Sequence, residues 1–184
     1  RNCDWSSDVC SSDLLLLYPA SMGAYRHLCR LLTIGKRRAP KGECHLWLTD
    51  LHHMHAEMHV VITPRRESHD SLQLHEQLAS HARRVTQALD VPCRLAISRH
   101  HHPDDESLLE LRRQLAVSLG LELIATNEPL YHEAPRRMLQ DVLTCIRRGC
   151  TIEEAGCSLE VNAERHLKSP EEIDRKSTRL NSSH

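Results

Sequence analysis

The chain of 184 residues carries 24 lysines and arginines against 25 aspartates and glutamates, so its formal net charge is −1. About 160 of these residues, those that lie between the two short terminal segments discussed below, suffice for one ordinary domain with a hydrophobic core. The balanced charge excludes a chain-wide basic footprint for nucleic acid, and any DNA contact must therefore be local. No apolar run approaches the ~20 residues that a membrane span needs, so we expect no membrane partner.

Apolar runs and apolar stripes of helical period alternate along the chain. The runs at residues 14–18, 60–62, 93–98 and 121–125 predict strands. The stripes predict helices over residues 22–32, 71–89, 104–119 and 136–147, and a short helix from residue 49 to about residue 57. Strands that alternate with helices favour βαβ units and a largely parallel sheet or barrel. The predicted fold class is α/β.

Two local predictions follow from this pattern. Gly35 is expected to end the first helix, which leaves the basic residues Lys36, Arg37, Arg38 and Lys41 in a loop. In the helix over residues 136–147, the apolar stripe is expected to face the core, and its members are Leu139, Val142, Leu143 and Ile146.

Two of the eight cysteines lie near the amino terminus, and the other six form no C-x-x-C pair and are scattered through apolar segments, namely Cys29, Cys44, Cys93, Cys145, Cys150 and Cys157. This pattern is typical of reduced, buried cysteines, and we expect a cytoplasmic protein. Fifteen histidines are the one unusual feature of the composition. Three of them, His52, His55 and His59, are spaced so that one helix face could present them to a metal, although a solvated face explains them better.

The two ends of the chain share an inverted repeat at the DNA level. Residues 174–184 allow a codon choice whose reverse complement encodes residues 3–14 in another frame. The two ends of a natural protein have no reason to share such a repeat. We therefore interpret residues 1–14 and 174–184 as translated sequencing adapter, expect both to be disordered, and take residues 15–173 as the native part.

Five phrases occur together in one order. They are YRHLCRLLTIGKRRAPKGECHL (residues 25–46), RHHHPDDES (99–107), LELIATNEPLYH (121–132), LQDVLTCIRRGCTIEEAG (139–156) and NAERHLKSPEEI (162–173). In this order they resemble the PHP domain of bacterial C-family DNA polymerases of the error-prone branch. The resemblance covers essentially all of residues 15–173.

The resemblance implies that residues 15–173 are the C-terminal part of a PHP domain, a partial distorted α/β barrel. The parent would be a nucleotidyltransferase that acts in DNA replication and damage tolerance. It would use DNA, deoxynucleoside triphosphates and Mg²⁺, and other replication or damage-tolerance proteins would be its partners. The catalytic aspartates of the polymerase would lie outside this chain. We therefore expect the chain to be inactive alone and predict no catalytic residue in it.

The same resemblance implies a degenerate metal site. The family's ligand histidine at the R-H-H-H-P corner falls on His100, and its Asp-x-His falls on Glu128, Pro129 and Leu130. Because leucine cannot bind a metal, a Zn²⁺ or Mn²⁺ cluster is doubtful unless His132 replaces the lost imidazole. Two alternatives stay open, a free-standing PHP-type phosphoesterase and a degenerate module with a structural or docking role.

The basic cluster of Lys36, Arg37, Arg38 and Lys41 is the candidate DNA contact. Local lysines and arginines can neutralise phosphates and release counterions whatever the net charge of the chain. A solvated loop explains the same residues equally well.

Overall fold

The computed structural model of the protein describes residues 13–51, 57–64, 71–89 and 91–181. Strands and helices alternate along them, and the predicted α/β fold class is confirmed. Contacts divide the chain into two units, one of residues 1–96 with 110–124 and one of residues 97–109 with 125–184.

Four strands form one sheet in the order β1-β2-β3-β4. Their bounds are Asp13–Pro19 for β1, Met58–Pro64 for β2, Cys93–Ile97 for β3 and Glu122–Ala125 for β4. Strand β1 pairs with β2 in antiparallel register and β2 pairs with β3 in parallel register. The sheet is therefore mixed. The described strands do not close into the predicted partial barrel, since four strands are about half of what a filled barrel needs.

Six α-helices lie between and after the strands in the described part of the chain. Their bounds are Met22–Arg38 for α1, Ser71–Ala88 for α2, Asp105–Leu119 for α3, Arg137–Arg148 for α4, Ile152–Ala155 for α5 and Pro170–Asn181 for α6. Short 3₁₀ turns occur at Leu48–Leu51, Ala134–Arg136 and Gly156–Ser158. None of these described helices combines the length and apolarity that a membrane crossing requires.

The core of the first unit lies against β2 and β3. Val60, Ile62 and Leu95 are completely buried in these strands. On α2, Leu78, Ala82 and Val85 are buried at the predicted helical period. His59, which the histidine spacing placed on a helix, lies in β2, while His52 and His55 lie outside the described residues.

Helix α1 continues through Gly35, so the predicted helix end at this residue is wrong. A Cβ atom on Gly35 would lie 2.6 Å from Cys44 Sγ and 2.8 Å from Leu46 Cδ2. Both side chains belong to the buried core. The glycine therefore permits close packing of the following segment against the helix. As a consequence, residues 36–38 form the last helical turn instead of a loop.

Helix α4 corrects a second prediction. The residues expected to face the core are exposed, namely Leu139, Val142, Leu143 and Ile146. The buried residue of this helix is Cys145. Apolar periodicity identifies the apolar face of a helix, but it does not say what that face meets.

The C-terminal segment also differs from the prediction. Helix α6 runs to Asn181, through most of the region expected to be disordered. Its start is well capped, because the Ser169 Oγ accepts the Glu172 N–H at 3.3 Å and the Glu172 carboxylate accepts the Ser169 N–H at 2.9 Å. Residues 1–12 and 182–184, also predicted to be disordered, lie outside the described residues.

A buried histidine in α2 leads to a prediction about pH. His81 is 9% exposed, and its Nε2 has no hydrogen-bond partner in the described part of the chain. Burial, assisted by the charge of Arg84, lowers the pKa of His81. We expect His81→Leu to raise the free energy of unfolding by about 1 kcal/mol at pH 7.5, because a buried unsatisfied nitrogen is removed.

The gain from His81→Leu should grow as the pH falls through 6.5, the ordinary pKa of histidine. In that range the unfolded wild-type chain takes up a proton at His81 and the folded chain does not, so only the wild type loses stability there. Denaturant unfolding at pH 7.5 and 5.5 measures the difference. The exposed His132→Gln serves as the control, and a gain that is equal at both pH values would contradict the lowered pKa.

Candidate functional site

The loop after β3 carries His100 and is closed onto the start of α3 by one carboxylate. Asp105 Oδ2 accepts the backbone N–H of His100 at 2.8 Å and that of His102 at 3.0 Å. Asp105 is only 7% exposed, so both hydrogen bonds are shielded from water. His101, between the two donors, has a φ of 57°, a left-handed backbone conformation that residues other than glycine rarely adopt. The carboxylate therefore holds the tight corner in which His100 lies.

The imidazole of His100 is 3% exposed, and its Nε2 lies 3.0 Å from the carbonyl oxygen of Asn127. A carbonyl oxygen only accepts hydrogen bonds, so Nε2 must carry the proton. A protonated ring nitrogen has no lone pair for a metal ion. This arrangement commits Nε2 of His100 to the backbone of the 126–133 segment.

The other two predicted ligands lie on that segment with partners of their own. Glu128 has a φ of 44°, and its carboxylate Oε2 lies 3.9 Å from Arg165 Nη2. The Glu128 carbonyl oxygen accepts Arg165 Nε at 3.0 Å. The side chain of His132 is 63% exposed, and its Nε2 lies 3.4 Å from Glu133 Oε1. One guanidinium therefore holds Glu128, whereas His132 lies at the surface.

A third segment, residues 160–168, ties the two loops together. Asn162 Nδ2 donates to the His100 carbonyl at 2.6 Å, and Asn127 Nδ2 donates to the His166 carbonyl at 2.5 Å. The Leu130 N–H donates to the Arg165 carbonyl at 2.8 Å. Three loops that are distant in sequence thus form one hydrogen-bonded cluster within the second unit, which we call the His100 cluster (residues 99–105, 127–131 and 160–168).

Charges inside the His100 cluster are paired. Arg165 Nη1 lies 2.7 Å from Glu160 Oε1, and Lys168 Nζ lies 3.2 Å from Glu164 Oε2. The Lys168 side chain is only 5% exposed. Burial, together with the negative charge of Glu160, raises the pKa of the Tyr131 phenol. Because these ions are paired, the free-energy cost of burying them is reduced. The paired and hydrogen-bonded groups indicate a structural role for the cluster.

The arrangement does not fit a metal cluster. Over the described residues, no group of three or more His, Cys, Asp or Glu side chains is placed to hold a metal ion. His100 and Glu128 are brought into one cluster, with His100 Nε2 at the Asn127 carbonyl and the Glu128 carboxylate near Arg165, while His132 is oriented towards Glu133. The metal-binding role of these three residues stays a prediction. Sequence reasoning missed the residues that organise the cluster, Asp105, Asn127, Asn162 and Arg165.

The basic residues predicted to contact DNA lie at the end of α1 and just after it. Lys36, Arg37 and Lys41 are exposed. Arg38 Nη1 lies 2.5 Å from Asp50 Oδ2. Burial alone would raise the pKa of Asp50, but hydrogen bonds from Arg38 and the Trp47 N–H outweigh it and lower this pKa. Arg38 is therefore the member of the predicted set whose charge is compensated.

Helix α1 adds two cations that sequence reasoning missed. At about 100° per residue, Arg26, Arg30 and Arg37 lie within about 40° of one another, opposite the buried face that contains Gly35. All three are exposed. We call them the α1 basic stripe. The signal was available, because residues 22–42 contain six lysines and arginines and no acidic residue. Since the net charge of the whole chain is −1, the residues outside 22–42 have a net charge of −1 − 6 = −7.

The chain is a mixed α/β protein whose second unit holds the hydrogen-bonded His100 cluster and whose first unit carries a basic helix face. No protein-family model matches it. Over 162 residues it is 43% identical to the error-prone DNA polymerase of Caulobacter vibrioides, and over 168 residues it is 44% identical to that of Bradyrhizobium diazoefficiens. The error-prone DNA polymerase of Rhodopseudomonas palustris is 38% identical over 161 residues.

Each of these matches covers 88% of this chain but only 14% of the relative. The chain therefore spans about a seventh of the length of the curated relatives that it matches. It corresponds to a segment of a bacterial error-prone DNA polymerase. This agrees with the family that the five sequence phrases indicate.

Proposed function

We propose that the parent of this chain is an error-prone DNA polymerase that extends primers across damaged templates. It acts as a nucleotidyltransferase in the cytoplasm, with deoxynucleoside triphosphates and Mg²⁺ as substrate and cofactor, beside other replication or damage-tolerance proteins. The observation that carries this proposal is the identity of 38–44% to polymerases of that name over 88% of the chain. The polymerase active site lies in the part of the parent outside this chain.

Within that parent, the chain forms part of a PHP domain with a structural role. The arrangement of side chains in the His100 cluster supports a structural role over a phosphoesterase activity. Hydrolysis of a phosphoester by metal ions requires several ligands that converge on adjacent ions. Over the described residues, no three His, Cys, Asp or Glu side chains converge in this way, and the Glu128 carboxylate faces Arg165. Leu130, in the position of the family's second histidine, offers no ligand atom.

The α1 basic stripe, with Lys36 and Lys41, is the surface that we assign to DNA. Its three arginines extend over about 16 Å of the helix axis, which is roughly five nucleotide steps along one strand. They form no ion pair within the described part of the chain. Contacts of this kind are made to the phosphate backbone and carry no sequence preference.

Metal content tests the structural role. We expect the purified chain, after removal of adventitious ions, to hold less than one zinc or manganese ion and to leave a generic phosphomonoester intact. The physical reason is that, among the described residues, no three His, Cys, Asp or Glu side chains are placed to hold a metal ion. Elemental analysis and a colorimetric phosphate assay measure both quantities.

The same assays on two variants supply the opposing result. His132→Ala removes an exposed imidazole without disturbing the cluster, and His100→Ala removes the buried one. Stoichiometric metal that is lost in both variants would place the phosphoesterase function ahead of the structural one.

A further inference from the structure

Two cysteines, Cys145 and Cys150, lie on either side of the turn that ends helix α4. Gly149 forms this turn with a φ of 68°, in the left-handed region. The Cys150 N–H donates to the Cys145 carbonyl at 3.1 Å, and the Gly149 N–H donates to the Ile146 carbonyl at 3.4 Å. These two hydrogen bonds define a Schellman motif, a C-terminal cap that depends on glycine.

The cap brings the two cysteine side chains together. In a Schellman motif the residue after the glycine packs against the residue five positions before it, and these two residues are Cys150 and Cys145. Their thiols share a hydrogen bond. The backbone hydrogen bond of 3.1 Å also keeps their Cα atoms within roughly 7 Å of each other. Since disulfides span Cα separations of about 4.4–6.8 Å, the pair can be joined with little movement of the backbone.

The two free thiols differ in their access to solvent. Cys150 is half-buried, whereas Cys145 is buried. Burial, together with the neighbouring Cys150 and the negative charges of Asp141 and Glu153, raises the pKa of the Cys145 thiol. Because the thiolate is the reactive form and must reach the oxidant, Cys150 is the thiol that a small oxidant meets first. Cys145 is then the neighbouring thiol that reacts with the product.

We infer that Cys145 and Cys150 form a thiol–disulfide exchange site, in which a small disulfide of the glutathione class oxidises the pair to a disulfide bond across the α4 cap. The Cys150 thiol loses its proton to solvent, and its sulfur attacks one sulfur of the small disulfide. The S–S bond of the oxidant breaks, and one small thiolate leaves. Cys145, deprotonated in the same way, attacks the Cys150 sulfur and expels the second small thiolate.

The reaction is balanced by the oxidant. Two protein thiols are oxidised, one small disulfide is reduced to two thiols, and the two leaving thiolates take up the two protons. Thr151, the N-cap of helix α5, directly follows Cys150. The new bond therefore fixes the end of α4 to the start of α5, and an excess of small thiol opens it again. The inference rests on the α4 cap and not on the function proposed for the parent.

Peptide mapping tests the inference. The reduced chain is incubated with oxidised glutathione, its remaining thiols are alkylated, and it is digested with trypsin. Cleavage after Arg147 and Arg148 separates Cys145 from Cys150. We expect peptides 138–147 and 149–165 to be recovered as one disulfide-linked product, with fragment ions that place the bond at Cys150.

The exposed Cys29 on α1 reports on the oxidant in the same sample. It should carry glutathione, which shows that the reagent has reacted with the chain. The matched control variant is Cys29→Ser, and it should link residues 145 and 150 within about twofold of the wild type, because its α4 cap is unchanged.

Two further variants separate the first attack from the second. Cys145→Ser should accumulate at least about tenfold more glutathione on Cys150 than the wild type does, because the adjacent thiol that expels it is missing. Cys150→Ser should leave the buried Cys145 with little glutathione, since the accessible thiol is the one removed. A merely structural role for the two cysteines would not produce this difference.

Three outcomes would overturn the inference. The first is a wild-type chain that carries glutathione on Cys29 and has no link between Cys145 and Cys150. The second is a Cys150 that joins Cys157 or a second chain in preference to Cys145. The third is a folded Cys145→Ser variant with no more glutathione on Cys150 than the wild type. The first two outcomes are read from the wild-type chain and need no variant to fold.

Discussion

Replacing Asp105 by alanine is expected to lower the free energy of unfolding by about 3 kcal/mol. The carboxylate accepts two backbone hydrogen bonds at 2.8 and 3.0 Å in a site that is only 7% exposed. Hydrogen bonds to a charged group contribute roughly 1.5–3 kcal/mol each, and their loss leaves the buried His100 N–H without its acceptor. Denaturant unfolding followed by circular dichroism measures the loss, and amide exchange at His100 and His102 locates it.

Two variants control this result. Asp104→Ala removes the neighbouring carboxylate, which is 65% exposed and lies 3.3 Å from His102 Nδ1. A surface ion pair of this kind contributes less than about 1 kcal/mol. Asp105→Asn keeps an acceptor oxygen without the charge and should lie between the two. If Asp105→Ala is no more destabilising than Asp104→Ala, the carboxylate does not hold the His100 cluster.

The second large effect concerns DNA. Changing Arg26, Arg30 and Arg37 to glutamine should weaken binding of a duplex oligonucleotide by at least about a hundredfold at 50 mM salt. Each lost phosphate contact also reduces the slope of log affinity against log salt by about 0.9, so the slope should fall by nearly 3. Fluorescence anisotropy over a salt series measures both quantities.

A charge-matched control separates the α1 basic stripe from general electrostatics. Arg83, Arg147 and Arg148 are exposed on α2 and α4, and their change to glutamine alters the net charge by the same amount. This control should bind DNA within about threefold of the wild type. Equal losses in the two triple variants would mean that the stripe has no special role.

The sequence predicts the elements of the first unit well because burial there follows the period of each element. Leu78 and Val85 on α2, like Ile62 on β2, are buried where the apolar pattern places them. The sequence does not predict whether two strands pair in parallel or antiparallel register, since side chains alternate with a period of two in both. The prediction that α1 ends at Gly35 is wrong because this glycine permits the close approach of Cys44, nine residues later.

The sequence predicts only part of the candidate site. The R-H-H-H-P corner located the loop of His100 correctly. The groups that fix its ring and backbone come from Asn127 and Asn162, which are 27 and 62 residues away. A single sequence gives no signal for such pairings. The α1 basic stripe, in contrast, follows from the helical spacing of its three arginines in a helix that continues past Gly35.

The most direct test that this chain is a segment of an error-prone DNA polymerase uses a chimera, the Caulobacter vibrioides polymerase with its matched segment replaced by the corresponding residues of this chain. Primer extension by this chimera is measured. We predict extension within about threefold of the Caulobacter vibrioides enzyme, on an undamaged template and across a template lesion, because the two segments are 43% identical. Deletion of the segment from that enzyme, as the negative control, should abolish extension. A chimera that folds and binds DNA like its parent, yet extends primers no better than the deletion, would contradict the account.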